Sequence, residues 1–478
     1  MTPTYWPKFQ HDFVLSQTTM TENAGKDTEQ HRNLAPKRSG VPLLGSAVSF
    51  ARDPYGFYED LATQGDIVRF SMGSTDMAAV LHPTDIKEVL VEEFDKYRKP
   101  ADAGGVDILS EGLLLSDGEQ WQQQRKRLQP LFYQDRIETY AETMGAYAAA
   151  SAEEWAASDE PVDLTEATST YTLRVLGKTL FGIEAEEHRQ AIRAGAEAIR
   201  ERSSESPVSV DIPEWLPTPK NRRYKQGIAE LETVIDELLA DQPDEADGED
   251  LLSLLVAAMD GDGGGPTESE IRSQLVTFLF AGHETSATAL TWALYELGRK
   301  PSVANRLRNE VDEVINGPHA KVLDLPALEY TDQVIQETLR RYPPAAAIFR
   351  ETDTDVLLGD YQLPEDTYLV LPQFYVHTDD RWWDDPLVFD PSRWDDISEP
   401  PGDRPEYAYF SFGGGPRHCI GMRFAQMELK LALATIVRHC HIDHEYETVD
   451  TDIGSTVSPA ESLGVRFERR ESSGNPQN

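Results

Sequence analysis

Apolar residues recur every three or four positions, between short polar breaks, over most of positions 84 to 342. That spacing predicts a succession of amphipathic helices. Two breaks stand out, Gln242 to Asp250 and the glycine-rich turn Gly261 to Pro266. From about Ala346 to Leu371 the pattern shortens to alternating runs punctuated by Pro and Gly, which predicts strands and turns. An irregular stretch rich in Trp, Asp and Pro follows, Thr378 to Gly415. So long a structureless segment inside a compact chain is usually functional. A last helix is expected from near Ile420 to about Arg438, with short strands after it. The expected fold class is therefore mainly α with a minor β part. No internal repeat or long linker divides the chain. One domain is expected over 39–470, between a mobile polar tail at 1–38 and a short tail at 471–478.

The longest predicted helix carries its own start signal. Thr267 and Glu270 form a Thr-x-x-Glu capping box, and the apolar pattern then continues to Arg299, just before Pro301. At 1.5 Å per residue it spans roughly 50 Å, enough to cross a large domain. In its apolar middle lies Ala281-Gly282-His283-Glu284-Thr285. Thr285 Oγ can reach the carbonyl of Ala281, four residues back, and bend the hydrogen-bond ladder. On the helix alone, an ordinary kink and a distorted groove facing a ligand are equally good readings.

Charge and cysteine usage narrow the function. Asp and Glu number 84 against 44 Lys and Arg, a net charge of −40 spread along the whole chain. Such a surface repels phosphates, which argues against nucleic acid as a partner. It fits adaptation to high salt, where a Debye length of about 3 Å at 1 M mutes self-repulsion. A patch for a cationic partner is the weaker alternative. Cys419 and Cys440 are the only cysteines, which excludes a disulfide framework, a four-cysteine zinc site and a four-cysteine iron–sulfur cluster. A reducing, cytoplasmic location is expected. No apolar run reaches the roughly 18 residues that span a bilayer, and the N-terminal segment has no signal-peptide core. Tyr5, Trp6, Phe9 and Phe13 read as stray aromatics of a tail rather than a membrane contact.

The most informative segment is Phe412-Gly-Gly-Gly-Pro-Arg-His-Cys-Ile-Gly421. Cys419 sits just ahead of the predicted last helix, whose free N–H groups and dipole stabilise a thiolate. Gly413, Gly414, Gly415 and Gly421 are expected to let backbone approach a large flat ligand. Arg417 adds a cation that can pair with a carboxylate. A dinucleotide fingerprint fails because position 418 is His, and a P-loop lacks its Gly-Lys-Ser/Thr ending. A covalent c-type haem would need Cys-x-x-Cys-His. A buried structural cysteine explains neither the glycines nor the arginine.

The segment resembles the haem-thiolate signature of the cytochrome P450 superfamily, Phe-Gly-x-Gly-x-Arg-x-Cys-x-Gly. All six fixed positions match, at Phe412, Gly413, Gly415, Arg417, Cys419 and Gly421. A chance match is on the order of one in 10⁵. The family's other motifs recur in order: Trp121-x-x-x-Arg125 after a Ser116/Glu119 capping box, Ala281 to Thr285, Glu337-x-x-Arg340, and Phe389-x-Pro-x-Arg393-Trp. The resemblance covers about Pro42 to Arg469.

It implies the P450 fold, with the long central helix over a b-type haem whose iron Cys419 ligates. It implies propionate partners at Arg125, Arg350 and Arg417, with Trp121 beside them. It implies a structural triad of Glu337, Arg340 and Arg393 that pins the irregular stretch. Glu284 and Thr285 become the residues that handle protons during oxygen activation. The substrate pocket is expected at Leu113, Leu114, Ala281, Ala345, Ala347 and Ile348, all apolar, which favours a fairly large, water-poor substrate. The function implied is a haem-thiolate monooxygenase using dioxygen, with electrons from a separate ferredoxin or flavodoxin-type protein. Docking of that partner is expected at Arg417, Arg423 and Lys430. A peroxide-driven peroxygenase or a haem-thiolate isomerase is the alternative, and a non-catalytic haem sensor comes third.

Two metal-like patterns carry little weight. His283-Glu284 lacks the second histidine of a zincin, since position 287 is Ala. His439, Cys440, His441 and His444 fall at a helix end and into a strand, where neighbours face opposite ways.

Overall fold

The computed structural model of the chain describes residues 33–100, 107–182, 188–203, 218–240, 252–253, 255, 265–395 and 404–470. The Gln242–Asp250 break and the four N-terminal aromatics lie outside the described residues, as does most of the Gly261–Pro266 turn. Nine helices of eleven residues or more occur among the described residues. They are α1 (Gly118–Leu128), α2 (Ala141–Ala156), α3 (Leu164–Leu180), α4 (Arg189–Ser203), α5 (Pro219–Ala240), α6 (Glu268–Arg299), α7 (Pro301–Val314), α8 (Glu329–Arg341) and α9 (Met422–His439).

Eight strands form two sheets beside these helices. A five-stranded sheet contains β1 (Ile67–Met72), β2 (Thr75–Val80), β3 (Tyr97–Arg98), β5 (Ala347–Thr352) and β6 (Tyr368–Pro372), in the order β1-β2-β6-β5-β3. Its pairs are antiparallel except β2 with β6, which run parallel with Ala78 opposite Leu369. A three-stranded sheet joins β4 (Val162–Asp163), β8 (Gly464–Arg469) and β7 (Cys440–Asp443), with β8 in the middle. The two architectures build separate cores. One is helical, centred on Trp292, Leu294 and Leu431; the other lies against the larger sheet, around Val68, Val80 and Leu371.

Helix α6 runs unbroken through the helical core. Both halves of its capping box form, Glu270 N–H to Thr267 Oγ1 at 3.1 Å and Thr267 N–H to Glu270 Oε2 at 2.8 Å. Thr285 Oγ1 donates to the Ala281 carbonyl at 2.8 Å, yet the helix continues through it to Arg299. The bond thus adds to the helix without interrupting it. Gly282 serves packing: a Cβ would stand 2.9 Å from Leu176 of α3. Farther along, Trp292 stacks on Tyr342 at 4.1 Å and donates to the Val457 carbonyl, tying α6 to the end of α8.

One start signal fails. Ser116 and Glu119 do not cap α1; Asp117 holds the N-cap position with its side chain turned elsewhere, and Ser116 Oγ donates to Gln124 at 2.7 Å. At the N-terminal boundary, Ala35 is buried and the Arg38 N–H donates to Arg69 of β1, so the packed body includes residues assigned to the tail.

Candidate active site

The cysteine loop is built by backbone. The Cys419 N–H donates to the Phe412 carbonyl at 2.9 Å, and the His418 N–H to Gly415 at 3.2 Å, which closes the segment on itself. Gly415 has a φ of +60°, and a side chain there would collide with the Leu90 carbonyl. Its glycine answers protein packing rather than a ligand's approach, as does Gly414, crowded by Tyr407. Gly421 is different, with nothing nearer than 3.8 Å to a Cβ. The Cys419 side chain is accessible, although surrounding protein desolvates it and raises its thiol pKa. Together these place the sulfur on the wall of a recess inside the fold, not on the outer surface. The Gly421 N–H and Arg125 pull the other way and favour the thiolate, as a helix N-terminus and a nearby cation should.

A matching opening occurs on α6. The helix is buried on either side of its middle, but Phe280, Ala281, Gly282, Glu284 and Thr285 are only half-buried. Ala345, Ala347 and Ile348 are half-buried too, at the entry to β5, and Leu114 is exposed. Leu113 is buried, its N–H donating to Gln274 of α6 at 3.1 Å, which ties the segment before α1 to the central helix.

Four charged groups gather beside the loop. Arg417 pairs with Asp117, donates to the Ser116 carbonyl at 3.1 Å, and lies 4.3 Å above the Trp121 ring. Arg350 is buried on β5, its side chain donating to the Phe349 carbonyl at 2.8 Å. Burial, then the Arg417 charge, push its pKa down to about 10. Half-buried Lys99, whose N–H bonds Asp117 at 3.1 Å, is held well below the usual lysine range by burial and by Arg350 and Arg417. One carboxylate thus faces three cations. Arg125 stands apart: it donates to the His418 carbonyl at 2.8 Å and to Gln129 at 3.0 Å. Trp121 thus lies under Arg417, and Arg125 holds the loop backbone.

Glu337 and Arg340 are wholly buried and paired through two contacts of 2.8 Å. Arg340 also donates to the carbonyls of His377 (2.8 Å) and Pro386 (2.9 Å). Glu337 accepts from the Asp390 N–H (2.9 Å) and Trp394 Nε1 (3.1 Å), and lies 3.3 Å from Arg393 Nε. Arg393 then holds the carbonyls of Asp384 and Asp385. The three side chains meet and clamp the irregular stretch at five or more backbone points.

The cytochrome P450 family model matches residues 35–465. This chain is a cytochrome P450. It is 35% identical to cyclooctatin synthase of Streptomyces melanosporofaciens, over 83% of this chain and 87% of that protein. It is 32% identical to pentalenene oxygenase of Streptomyces avermitilis, over 92% and 97%. Cyclooctat-9-en-7-ol 5-monooxygenase of Streptomyces melanosporofaciens matches at 34%, over 83% and 86%. The enzyme class is that of a P450 monooxygenase, and the P450 family implies a haem-thiolate cofactor. Among the described residues no helix is long and apolar enough to cross a membrane.

The residues of this P450 fit such a group. The thiol opens into an interior recess, and three cations face one carboxylate where two propionates would supply the missing negative charge.

Two participants were missed from sequence: Lys99, which belongs to no motif, and Asp117, hidden inside a supposed cap. Glu428 of α9 was missed as well. It is buried, bonds Ser286 next to Thr285, has one oxygen without a hydrogen bond, and burial pushes its pKa up to about 8. The docking expectation needs correction. Arg417 is 10% exposed and paired with Asp117, and Lys430 is 16% exposed and 3.9 Å from Asp332, so neither is presented to a partner; Arg423 is exposed. The histidines at and beyond the end of α9 scatter. His439 bonds the Pro318 carbonyl, His444 that of Tyr295, and no metal-holding group of three occurs among the described residues.

Proposed function

We propose that this P450 binds haem b through Cys419 and inserts one atom of dioxygen into a mostly hydrocarbon, terpenoid-like substrate. The observation that carries the reading is the accessible Cys419 thiol in an interior recess, at the start of α9 and beside Arg125. When bound, the haem would supply reductive activation of dioxygen, and the Cys419 thiolate would hold it and donate electron density to that chemistry. The chain's own part is positioning and proton control. Arg417, Arg350 and Lys99 bind and orient the propionates, with Trp121 beneath Arg417. Thr285, its hydroxyl proton already given to Ala281, keeps its oxygen free to accept a hydrogen bond in the recess. Glu284, the residue before it and likewise half-buried, supplies protons to that hydroxyl. Ala281, Ala345, Ala347 and Ile348 exclude water and leave room for a bulky apolar molecule. The relatives named for pentalenene and cyclooctat-9-en-7-ol support that substrate class. Electrons come from a separate ferredoxin or flavodoxin-type donor, without which turnover stops.

The test is a pair of variants. Cys419→Ala should abolish the red-shifted carbon monoxide spectrum of the reduced protein; an unaltered spectrum would refute the ligand assignment. Thr285→Ala should keep that spectrum but divert electrons to hydrogen peroxide, measured as peroxide formed per reductant consumed. Full coupling in that variant removes Thr285 from the proton path.

A further inference from the structure

An open cleft lies far from the recess, where α7 meets the ends of β7 and β8. Its volume is about 480 Å³. That is within the range of small-molecule sites, roughly 300–1,000 Å³. One wall is a single face of α7: Asn305, Arg308 and Asn309 at the three- and four-residue spacing that aligns side chains. The other wall is His441 with the consecutive pair Arg469 and Arg470.

The charge balance here runs against the rest of the molecule. The chain carries 84 acidic and 44 basic residues, so a surface cation ordinarily has carboxylates close by. In the cleft the one lining carboxylate, Asp312, is taken by Arg470 at 2.6 Å. Arg470 is further occupied in capping α9, donating to the Val437 carbonyl at 2.8 Å. Among the described residues, Arg308 and Arg469 have no carboxylate within ion-pair distance. Arg308 instead donates to Asn305 Oδ1 at 2.6 Å, an arrangement that turns the Asn305 amide N–H groups away from it as further donors.

The groups feel each other as like charges. Burial and then Arg470 lower the Arg308 pKa, with Asp312 opposing. Burial, then Arg308 and Arg470, lower that of His441, with Glu468 opposing. Two guanidinium forks and two carboxamides converging on a polar hollow are the donor set for a multiply charged oxyanion.

We propose that this cleft is an oxyanion-binding site that takes a small phosphate-class ligand. It stands at the opposite end of α9 from Cys419, about 27 Å along the helix at 1.5 Å per residue over its 18 residues. Its occupancy can therefore be tested without disturbing the haem centre. The other source of phosphate, an anionic phospholipid surface, is opposed by the net charge of −40.

The experiment is calorimetric titration of the haem-loaded protein with inorganic phosphate and with pyrophosphate, at ionic strength held constant with potassium chloride. One saturable site per chain is expected, tighter for pyrophosphate. Arg308→Gln and Arg469→Gln should each weaken it about tenfold or more, the scale of losing a charge-assisted hydrogen bond. The reduced carbon monoxide spectrum should stay unchanged and certifies folding in both. Should either arginine variant misfold, Asn309→Asp, which adds a carboxylate to the hollow, must weaken binding likewise. Phosphatidylglycerol vesicles should not sediment the protein. No saturable binding of either anion, or binding that survives these substitutions, or binding to vesicles alone, overturns the proposal.

Discussion

Two clusters of charge accompany the cysteine loop and the stretch leading to it, and their polar groups are satisfied differently. Around Glu337 two cations, Arg340 and Arg393, share one carboxylate, and backbone carbonyls of the irregular stretch take guanidinium donors left over from those pairings. Around Arg417 three cations share one carboxylate. The first cluster is complete within the polypeptide and therefore reads as scaffold. The second is complete only with added negative charge, so it reads as a binding site. Desolvating unpaired charge is unfavourable, and a fold tolerates it where a ligand compensates.

The comparison breaks most visibly at the scaffold. Glu337→Ala or Arg340→Ala leaves a wholly buried partner uncompensated, a loss of about 3–5 kcal/mol. Purified variants should contain little or no haem by pyridine haemochrome assay, and Arg340→Lys, which keeps the charge but loses the fork, should fare scarcely better. A variant with full haem and low turnover would contradict the scaffold role.

The binding cluster should respond in two opposite ways. Lys99→Met removes a repelled cation, so the haem-free protein should be as stable as the parent or more so, while haem affinity drops about tenfold, the scale of one charge-assisted contact. The Lys99 pKa is lowered in the folded state, so the unfolded chain binds more protons. The repulsion is fully felt below the folded pKa and relieved as pH rises toward the ordinary value of about 10.4. Thermal melts of parent and variant should therefore converge in that alkaline range. Equal loss of stability with and without haem would make Lys99 a structural residue.

Glu428 gives the effect most sharply tied to pH. Its pKa is raised to about 8, so the folded state holds the proton that the unfolded chain has released. Its cost is absent below the unfolded value of about 4.3, grows between there and about 8, and is complete above. Glu428→Gln should thus gain on the parent across that window, by up to a few kcal/mol at its alkaline end. A difference independent of pH would show that the carboxyl does not titrate there.

Much of this was legible before any coordinates. The order of helices, the capping box of α6, the Thr285 back-bond and the Glu337–Arg340 pair all follow from residues three or four apart, whose geometry a helix imposes. The failures share one cause. The Ser116–Glu119 cap is displaced because Asp117 at the same helix start answers to Arg417, 300 residues away. Gly414 and Gly415 look like clearance for a ligand, yet Tyr407 and the Leu90 carbonyl are what require them. Lys430 looks like a surface cation until α8 brings Asp332 beside it.

What the sequence alone determined is the motif set of a P450, the single cysteine before the last long helix, and the helical class, because each rests on short-range spacing. What only the tertiary structure decided is which charges are matched and which are left over. Coulomb energy depends on distance through space, and the chain brings Lys99, Asp117, Arg350 and Arg417 together from four separate elements.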